Sequence, residues 1–175
     1  MSTLAAHPDP LLTGDLLAHL DAQLSSVARL LQLVLAQGVA IRSRDVDAVV
    51  RHVAAFQAEL ERRARIEEDR TRLLLRAGAA LGIAPGAVTL TQLTACMTPA
   101  DGDLAQARSA ELQGLLAELA REHAANQALM RQELAFLDHL LRLVDPSAPA
   151  PAYGHLVRPA LSPPRGDIRA LDLRA

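Results

Sequence analysis

Apolar residues recur with helical spacing through the first forty positions of the chain. After Thr13, Gly14 and Asp15, which offer a helix start, the apolar side chains follow at steps of three and four residues. Such an alternation is a heptad pattern, and it predicts a long helix with one face packed against neighbours. The positions of this first seam are Leu17, Leu20, Leu24, Val27, Leu31, Val34 and Ile41.

A second helix with its own seam follows. Ser43 is a suitable N-cap for it, because a serine hydroxyl accepts hydrogen bonds from the first free backbone amides of a helix. The charged run "ERRARIEEDRTR" at 61–72 interrupts the pattern. Its Glu and Arg residues at three- and four-residue spacing favour a solvated helix segment, with a docking surface as the alternative. Gly82 ends this helix. The second seam is Val46, Val49, Val53, Phe56 and Leu60.

A short helix and a long one complete the predicted elements. Pro85 and Gly86 predict a turn, and Thr89 with Gln92 forms a capping-box pattern that predicts one short helix within 89–97. Residues 98–103 are predicted to be a loop, and the last helix spans about 104–144. Its seam is Leu112, Leu115, Leu119, Glu122, Asn126, Leu129, Glu133, Phe136, Leu140 and Leu143.

Two positions on the last helix need an explanation. Asn126 on the seam either fixes the register between helices or lies at the boundary and faces solvent. The segment from Phe136 to Val144 is apolar almost all round. A helix that is apolar on every side needs more than one neighbour to cover it, so this segment either folds back on the bundle or waits for a partner.

The two ends of the chain differ from the helical part. Pro8 and Pro10 discourage helix, so residues 1–12 are predicted to be a flexible arm. Six of the ten prolines lie within 146–175, with few leucines, which predicts a disordered tail. The helical domain is therefore 13–145. The predicted fold is all-α: an elongated antiparallel bundle of three long helices plus one short helix, with a disordered C-terminal tail.

The composition agrees with this fold and limits the cellular location and the classes of partner to be expected. Half of the residues are hydrophobic but only 2% are aromatic, so the core consists of Leu, Val and Ala, which suits helix packing. A net charge of −2 gives no long-range attraction to nucleic acid or anionic lipid. The N-terminus lacks the pattern of a signal peptide, and no uninterrupted apolar stretch reaches the roughly 18 residues of a membrane span. We therefore expect a cytoplasmic protein without direct membrane insertion or nucleic-acid binding.

Residues that could carry chemistry are few and scattered. The single cysteine, Cys96, excludes an internal disulfide and a Cys-based zinc site. No two of the six histidines are four residues apart on one helix, and no glycine-rich loop precedes a helix. We therefore expect no catalytic residues, no metal and no cofactor, so the protein is not expected to be an enzyme.

The order of these elements, together with two short motifs, resembles the FlgN family of flagellar export chaperones over about residues 13–154. Asn126 and Leu129 form an Asn-x-x-Leu step in "NQALMRQELAFLDHLL", and Tyr153 and Gly154 follow about two dozen residues later. Many family members carry another glycine soon after Tyr-Gly, whereas this chain delays it to Gly166.

The second helix carries the other part of the resemblance. The segment "AIRSRDVDAVVRHVAAFQAELERRARIEEDR" is similar to a family region that often has an aspartate early and an arginine late. Asp45 or Asp47, and Arg65 or Arg70, fill those places here.

The resemblance implies a non-catalytic cytoplasmic chaperone. Such a protein keeps hook–filament junction (hook-associated) proteins competent for export through their helical terminal segments, and delivers them to the flagellar type III export gate. It also implies that the C-terminal helix meets the cargo, and that Tyr153 and Gly154 meet the cytoplasmic domain of the gate. A coiled-coil structural or adaptor protein that forms a homodimer is the alternative. The predicted cargo-binding residues are Asn126, Leu129, Met130, Glu133, Phe136, Leu137, Leu140 and Leu141.

Overall fold

A computed structural model describes residues 10–144, which form three long helices and one short helix. The elements are α1 (Pro10–Arg42), α2 (Val46–Leu81), a 3-10 turn (Pro85–Ala87), α3 (Leu90–Thr94) and α4 (Pro99–Val144). No strand occurs between residues 10 and 144, and the predicted all-α fold is confirmed. The predicted tail 146–175 and most of the predicted arm 1–12 lie outside the described residues.

Helix α1 is the central element of the bundle, because it packs along both α2 and α4. Polar contacts fix the directions of the helices. The bond from Ser26 to Glu59 and the ion pair of Asp15 with Arg76 show that α2 runs antiparallel to α1. Later α1 positions pair with later α4 positions, so α4 runs parallel to α1; these pairs are Asp21 with Arg108 and Val34 with Asn126.

The central position of α1 explains its composition. Residues 11–42 are long and apolar enough to cross a membrane by length and composition alone. In the bundle, however, this helix has partners on two sides, so its buried face is wider than one seam. Of the predicted seam, Leu17 and Leu24 are only partly buried, whereas Leu16, Leu30 and Ala40 beside it are buried as well.

A hydrophobic core closes one end of the molecule, where α1 and α4 begin, α2 ends and α3 lies; we call this the packed end. All four helices contribute to this core, and α3 covers it with Leu90 and Leu93. Its buried members are Leu16, Leu20, Leu73, Ala77, Val88, Leu90, Leu93 and Ala105.

Helix termini follow the predicted signals at α2 and α3 but with one shift. Gly82 ends α2 in the left-handed conformation, at φ 67°, and Thr89 with Gln92 caps α3, as the sequence indicates. Asp45, not Ser43, caps α2: its carboxylate accepts from the Ala48 amide at 2.8 Å. The Ser43 hydroxyl instead donates to carbonyls in the last turn of α1.

Helix α4 begins earlier than predicted, and it begins with a proline. It starts at Pro99, so the predicted loop 98–103 is mostly helix, and α1 is already helical at Pro10, the first described residue, rather than from near Thr13. Proline is tolerated in the first turn because the amide it lacks has no intrahelical acceptor there. Thr98 caps α4, accepting from the Asp101 amide at 3.2 Å.

A buried carboxylate stabilises the pairing of α1 with α2 midway along the bundle. Glu59 is inaccessible to solvent and accepts hydrogen bonds from Ser26 at 2.9 Å, from Arg29 at 3.0 Å and from Arg62 at 2.8 Å. Burial disfavours the charged carboxylate, but the bonds from Arg29, Ser26 and Arg62 outweigh it and lower the pKa of Glu59. The charge is therefore kept in the folded protein.

Candidate docking groove at the open end

The opposite end of the molecule, where α1 turns into α2 and α4 runs past them, is not closed; we call this the open end. An ion pair of 3.4 Å between Arg44, in the turn, and Glu133 shows where α4 passes the turn. Eleven further residues bring α4 to Val144, about 16 Å beyond that point at about 1.5 Å per residue. We call residues 134–144 the overhang; its first part lies beside the α1–α2 turn, whereas Leu141, Leu143 and Val144 at its end are 60–85% exposed.

A groove of about 610 Å³ lies at the open end between α4 and the α1–α2 turn. Its wall is strongly apolar because each of the three long helices contributes aliphatic side chains. Arg44 and Glu133 supply the charge at its rim, and they neutralise one another. The lining residues are Ala40, Ile41, Arg44, Val46, Val49, Met130, Glu133, Leu134, Phe136, Leu137 and Leu140.

The groove is open because α2 and α4 approach one another much less than either approaches α1. One contact between α2 and α4 is the stacking of the Phe56 ring on the His123 ring, whose centroids lie 6.5 Å apart. Beyond this stack the predicted seam of α2 is not covered: Val46 and Val53 are exposed, and Val49 is only partly buried. The first two residues of the predicted seam, Val46 and Val49, therefore line the groove instead of packing in the bundle.

Arg44 is held at the groove rim by an unusual backbone conformation. Its φ is 57°, the one positive φ at a non-glycine residue between 10 and 144. A side chain in this left-handed region costs about 1 kcal/mol or more. The conformation reverses the chain between α1 and α2 within three residues, and it directs Arg44 towards Glu133.

Asn126 fixes the register of α4 on α1. It is 3% exposed, and its side-chain amide donates to the Val34 carbonyl at 2.7 Å. Gly38 makes room for it, since a Cβ at that position would lie 2.5 Å from the Asn126 Oδ1. The sequence left two interpretations of Asn126 open. The buried, hydrogen-bonded side chain agrees with a role in fixing the helix register, and the interpretation that Asn126 faces solvent is wrong. A cargo contact by this amide is not supported, because it is buried and already bonded.

The other predicted cargo-binding residues fall into two groups, those that line the groove and those that lie outside its lining. Met130, Glu133, Phe136, Leu137 and Leu140 line the groove. Leu129 is partly buried and Leu141 is 60% exposed, and both lie outside the lining. Tyr153 and Gly154, the predicted gate-binding residues, lie outside the described residues.

Sequence reasoning missed the second wall of the groove. Val46, Val49 and Ile41 were predicted as seam residues, so they were expected to be buried in the bundle. Arg44 and Leu134 carried no signal. The tight turn between α1 and α2 is a signal that could have been used, because it must bring the end of α1 beside the start of α2 and so form this wall. Whether α4 covers the wall depends on the angle between α4 and α2, which the sequence does not show.

A larger groove, of about 720 Å³, runs between α1 and α2 towards the packed end. Charged side chains that pair with each other line much of it, including Asp15 with Arg76. Burial is also the main cause that lowers the pKa of His19 there. Its ion pairs are satisfied, but the buried Nδ1 of His19 has no hydrogen-bond partner among the described residues. Its wall is more polar than that of the groove at the open end. Within residues 10–144, no three His, Cys, Asp or Glu side chains are placed to hold a metal ion.

Comparison with known proteins identifies one family. The model of the family described as FlgN protein matches residues 12–155, which is most of the chain and includes both ends of the bundle. Neither the curated proteins nor the solved structures with which the chain was compared include a match.

Proposed function

Because the chain belongs to the FlgN family, a family of flagellar export chaperones, we propose that it binds hook–filament junction proteins in the cytoplasm and delivers them to the export gate. In this proposal the protein acts by binding alone, without catalysis or cofactor. The cargo is a helical terminal segment of a junction protein, and its binding site is the groove at the open end.

The observation that carries the proposal is the apolar surface of the open end. Nine large apolar side chains, on the first residue of α2 and along α4 from Met130 onward, are between 40% and 85% exposed. Single exposed apolar residues are common on monomeric proteins, but a cluster of large ones marks a binding site. We call these nine residues the apolar patch: Val46, Met130, Leu134, Phe136, Leu137, Leu140, Leu141, Leu143 and Val144.

The shape of the groove favours a helix as the occupant. Its walls are helices, with Val46 and Val49 on one side and Leu134 and Leu137 on the other. An amphipathic helix lies in such a groove with its apolar stripe inward, and its own backbone hydrogen bonds stay satisfied. Junction proteins whose helical segments pair only after assembly need this kind of cover beforehand.

Cargo binding is tested with the double substitution Phe136→Ala and Leu140→Ala in the full chain. The two residues are four apart, so they lie on one face of α4 and both line the groove. Truncation of a central anchor typically costs about 2 kcal/mol or more, so we expect affinity for a junction-protein terminal peptide to fall at least thirtyfold. Isothermal titration calorimetry measures the affinity.

A matched control comes from the packed end. Leu75 and Leu104 are exposed to a similar degree, 55% and 42%, but lie far from the groove. Leu75→Ala with Leu104→Ala should leave the affinity unchanged. If the two double variants are both folded by circular dichroism and bind the peptide equally well, the cargo site is not this groove.

Gate binding is proposed for Tyr153 and Gly154, on the strength of the family resemblance and of Tyr153 being the only tyrosine. Tyrosine gives a large contact area at a low cost in rotamer entropy. Eight residues separate it from Asp145, a reach of about 25 Å at roughly 3.1 Å per residue in an extended chain. Tyr153 can therefore contact a second protein while the groove holds cargo.

Tyr153→Ala separates the two binding steps. We expect the variant to bind the junction-protein peptide normally but to be retained less by the cytoplasmic domain of the gate in a pull-down with cargo present. Leu171→Ala, an apolar truncation in the same proline-rich segment, is the control. Equal retention of wild type and Tyr153→Ala would refute the gate contact without affecting the cargo site.

A further inference from the structure

The groove between α1 and α2 towards the packed end has no part in the proposed function. The buried residues of its lining are His19 and Leu73, which are 6% and 2% exposed, and Leu75 beside them is 55% exposed. Its volume of about 720 Å³ is larger than that of the groove at the open end. We call it the His19 groove.

His19 indicates that this groove has an occupant. The amide nitrogen of Gln23 donates to the Nε2 of His19 at 2.7 Å, so the neutral ring carries its proton on Nδ1. This Nδ1 is buried and has no hydrogen-bond partner among the described residues. Buried polar groups in folded proteins are nearly always bonded. An extended segment can offer Nδ1 a free backbone carbonyl, whereas a helix uses its carbonyls for its own hydrogen bonds.

We propose that residues 1–9 of this chain are that segment: they fold back at the start of α1 and lie extended in the His19 groove. His7 and Asp9 each precede a proline, which favours an extended backbone. Pro8 and Asp9 are also residue types that form turns, as a reversal before α1 requires. This surface is separate from the proposed cargo site, so either proposal can fail without the other.

The length of the segment matches the groove. Measured along α1, Ala22 lies twelve residues after Pro10, about 18 Å at about 1.5 Å per residue. An extended chain covers this distance in about six residues at roughly 3.1 Å per residue, which brings Leu4 beside Ala22. The two alanines that follow Leu4 then lie near His19, and their small side chains let a backbone carbonyl approach the ring. Because Nδ1 is covered within the bundle, the bond requires a small shift of the ring or of a side chain above it.

Charge also favours this segment over the other end of the chain. The four charged Asp and Arg side chains that line the groove form two ion pairs with one another. An uncharged occupant therefore fits best, because an unpaired charge is costly to bury. Residues 1–6 contain no charged side chain, whereas residues 145–175 carry four arginines and begin where α4 ends, far from this groove.

Disulfide trapping in the full chain tests where the segment lies. In a Cys96→Ala background, Leu4→Cys is combined either with Ala22→Cys in the groove or with Gln106→Cys as the control. Two cysteines bond only when their Cβ atoms come within about 4.5 Å of one another. In a glutathione buffer we therefore expect the intramolecular disulfide to form at least tenfold faster with Ala22→Cys than with Gln106→Cys.

The control position is matched in level and exposure. The ion pair of Arg108 with Asp21 sets the level of α4 beside α1. Two residues earlier on each helix, Gln106 is therefore level with His19, but on the α4 side of α1 rather than the α2 side. Gln106 is exposed, as Ala22 is. A segment without a preferred site would reach both positions at similar rates.

Nitrogen-15 NMR of the histidine rings gives a second measurement that needs no cysteine. Removal of residues 2–8 should shift the ring signals of His19, because Nδ1 loses its acceptor. The ring signals of His123, which stacks on Phe56 away from this groove, should stay unchanged. The junction-protein terminal peptide should bind the shortened chain with unchanged affinity, because its proposed site is at the open end.

Three results would overturn the proposal. The first is disulfide formation at similar rates for the two cysteine pairs. The second is a covalent dimer as the main trapped product, which would assign the groove to the segment of another chain. The third is an unchanged His19 signal after removal of residues 2–8; if removal of residues 146–175 shifts that signal instead, the C-terminal segment occupies the groove.

Discussion

The packed end and the open end are built from the same three long helices, yet one is a closed core and the other an open groove. At the packed end, α3 lies across the helix ends, and Leu90 and Leu93 fill the space between them. At the open end no described element plays that part, and α4 continues beyond the turn. The number of covering elements, rather than the hydrophobicity of the helices, decides which end is buried.

The comparison also separates two kinds of apolar residue that look alike in sequence. Leu73 of α2 is 2% exposed, whereas Leu137 of α4 is 52% exposed. The first stabilises the fold by burial in the free protein. The second can contribute burial energy only when a partner arrives. Stability and binding are therefore expected to be located at opposite ends of the molecule.

Truncation at the two ends tests this separation most strongly. Leu73→Ala leaves a cavity in a closed core and should lower the free energy of unfolding by about 2–5 kcal/mol. Leu137→Ala, at the open end, should lower it by no more than about 1 kcal/mol, because its surroundings are already half solvent. Urea denaturation followed by circular dichroism measures both. Losses of similar size would show that the open end is closed in solution.

Glu59→Gln tests the polar contact that joins α1 to α2 between the two ends. Loss of the charge weakens bonds from Ser26, Arg29 and Arg62, and should cost about 1–3 kcal/mol of folding stability. The pKa of Glu59 is lowered in the folded protein. Its contribution is therefore present above the ordinary carboxyl pKa of about 4.5 and is lost as pH falls through the lower folded value.

Unfolding of the wild type and of Glu59→Gln should be compared across that pH window. The wild type should lose stability faster on acidification, and the difference between the two proteins should shrink towards low pH. A constant difference would mean that the Glu59 carboxylate is not what the arginines stabilise.

Gly38→Ala tests the register that places α4 over the groove. The added methyl group would displace the Asn126 amide from the Val34 carbonyl, and we expect a loss of about 1 kcal/mol after the better helix propensity of alanine is counted. In the background Asn126→Ala the same change should cost less, because the clash is gone. A double-mutant cycle measures this coupling. Additive effects would separate Gly38 from the register.

Removal of residues 146–175 should have the smallest effect. The sequence of this segment lacks a packable apolar face, so the free energy of unfolding should change by no more than about 0.5 kcal/mol. Thermal unfolding measured by circular dichroism is sufficient. A fall of several degrees in the midpoint would show that the segment covers part of the bundle and would weaken the contrast between the two ends.

The sequence by itself determined the helices and much of their capping. Heptad spacing predicts α1, α2 and α4, and the Thr89 capping box and Gly82 mark two of the boundaries, because helix formation depends on local spacing and local backbone hydrogen bonds. The sequence also showed that the end of α4 is apolar on nearly all sides. Because only three long helices are predicted, it further showed that this end has too few neighbouring helices to cover it. The early start of α4 at Pro99 was not visible, because a proline that breaks a helix interior is tolerated in the first turn.

Only the tertiary structure decided which seam residues are buried. The valines of α2 and the leucines of α4 have the same pattern as the buried residues of α1, but α2 and α4 splay apart, and no local signal encodes that splay. The register of α4 likewise depends on Asn126 meeting Val34 and Gly38 across about ninety residues. Burial of Glu59 depends on Ser26 and Arg29 of another helix. Contacts between residues far apart in sequence set these features, so the groove became visible only once the helices were placed together.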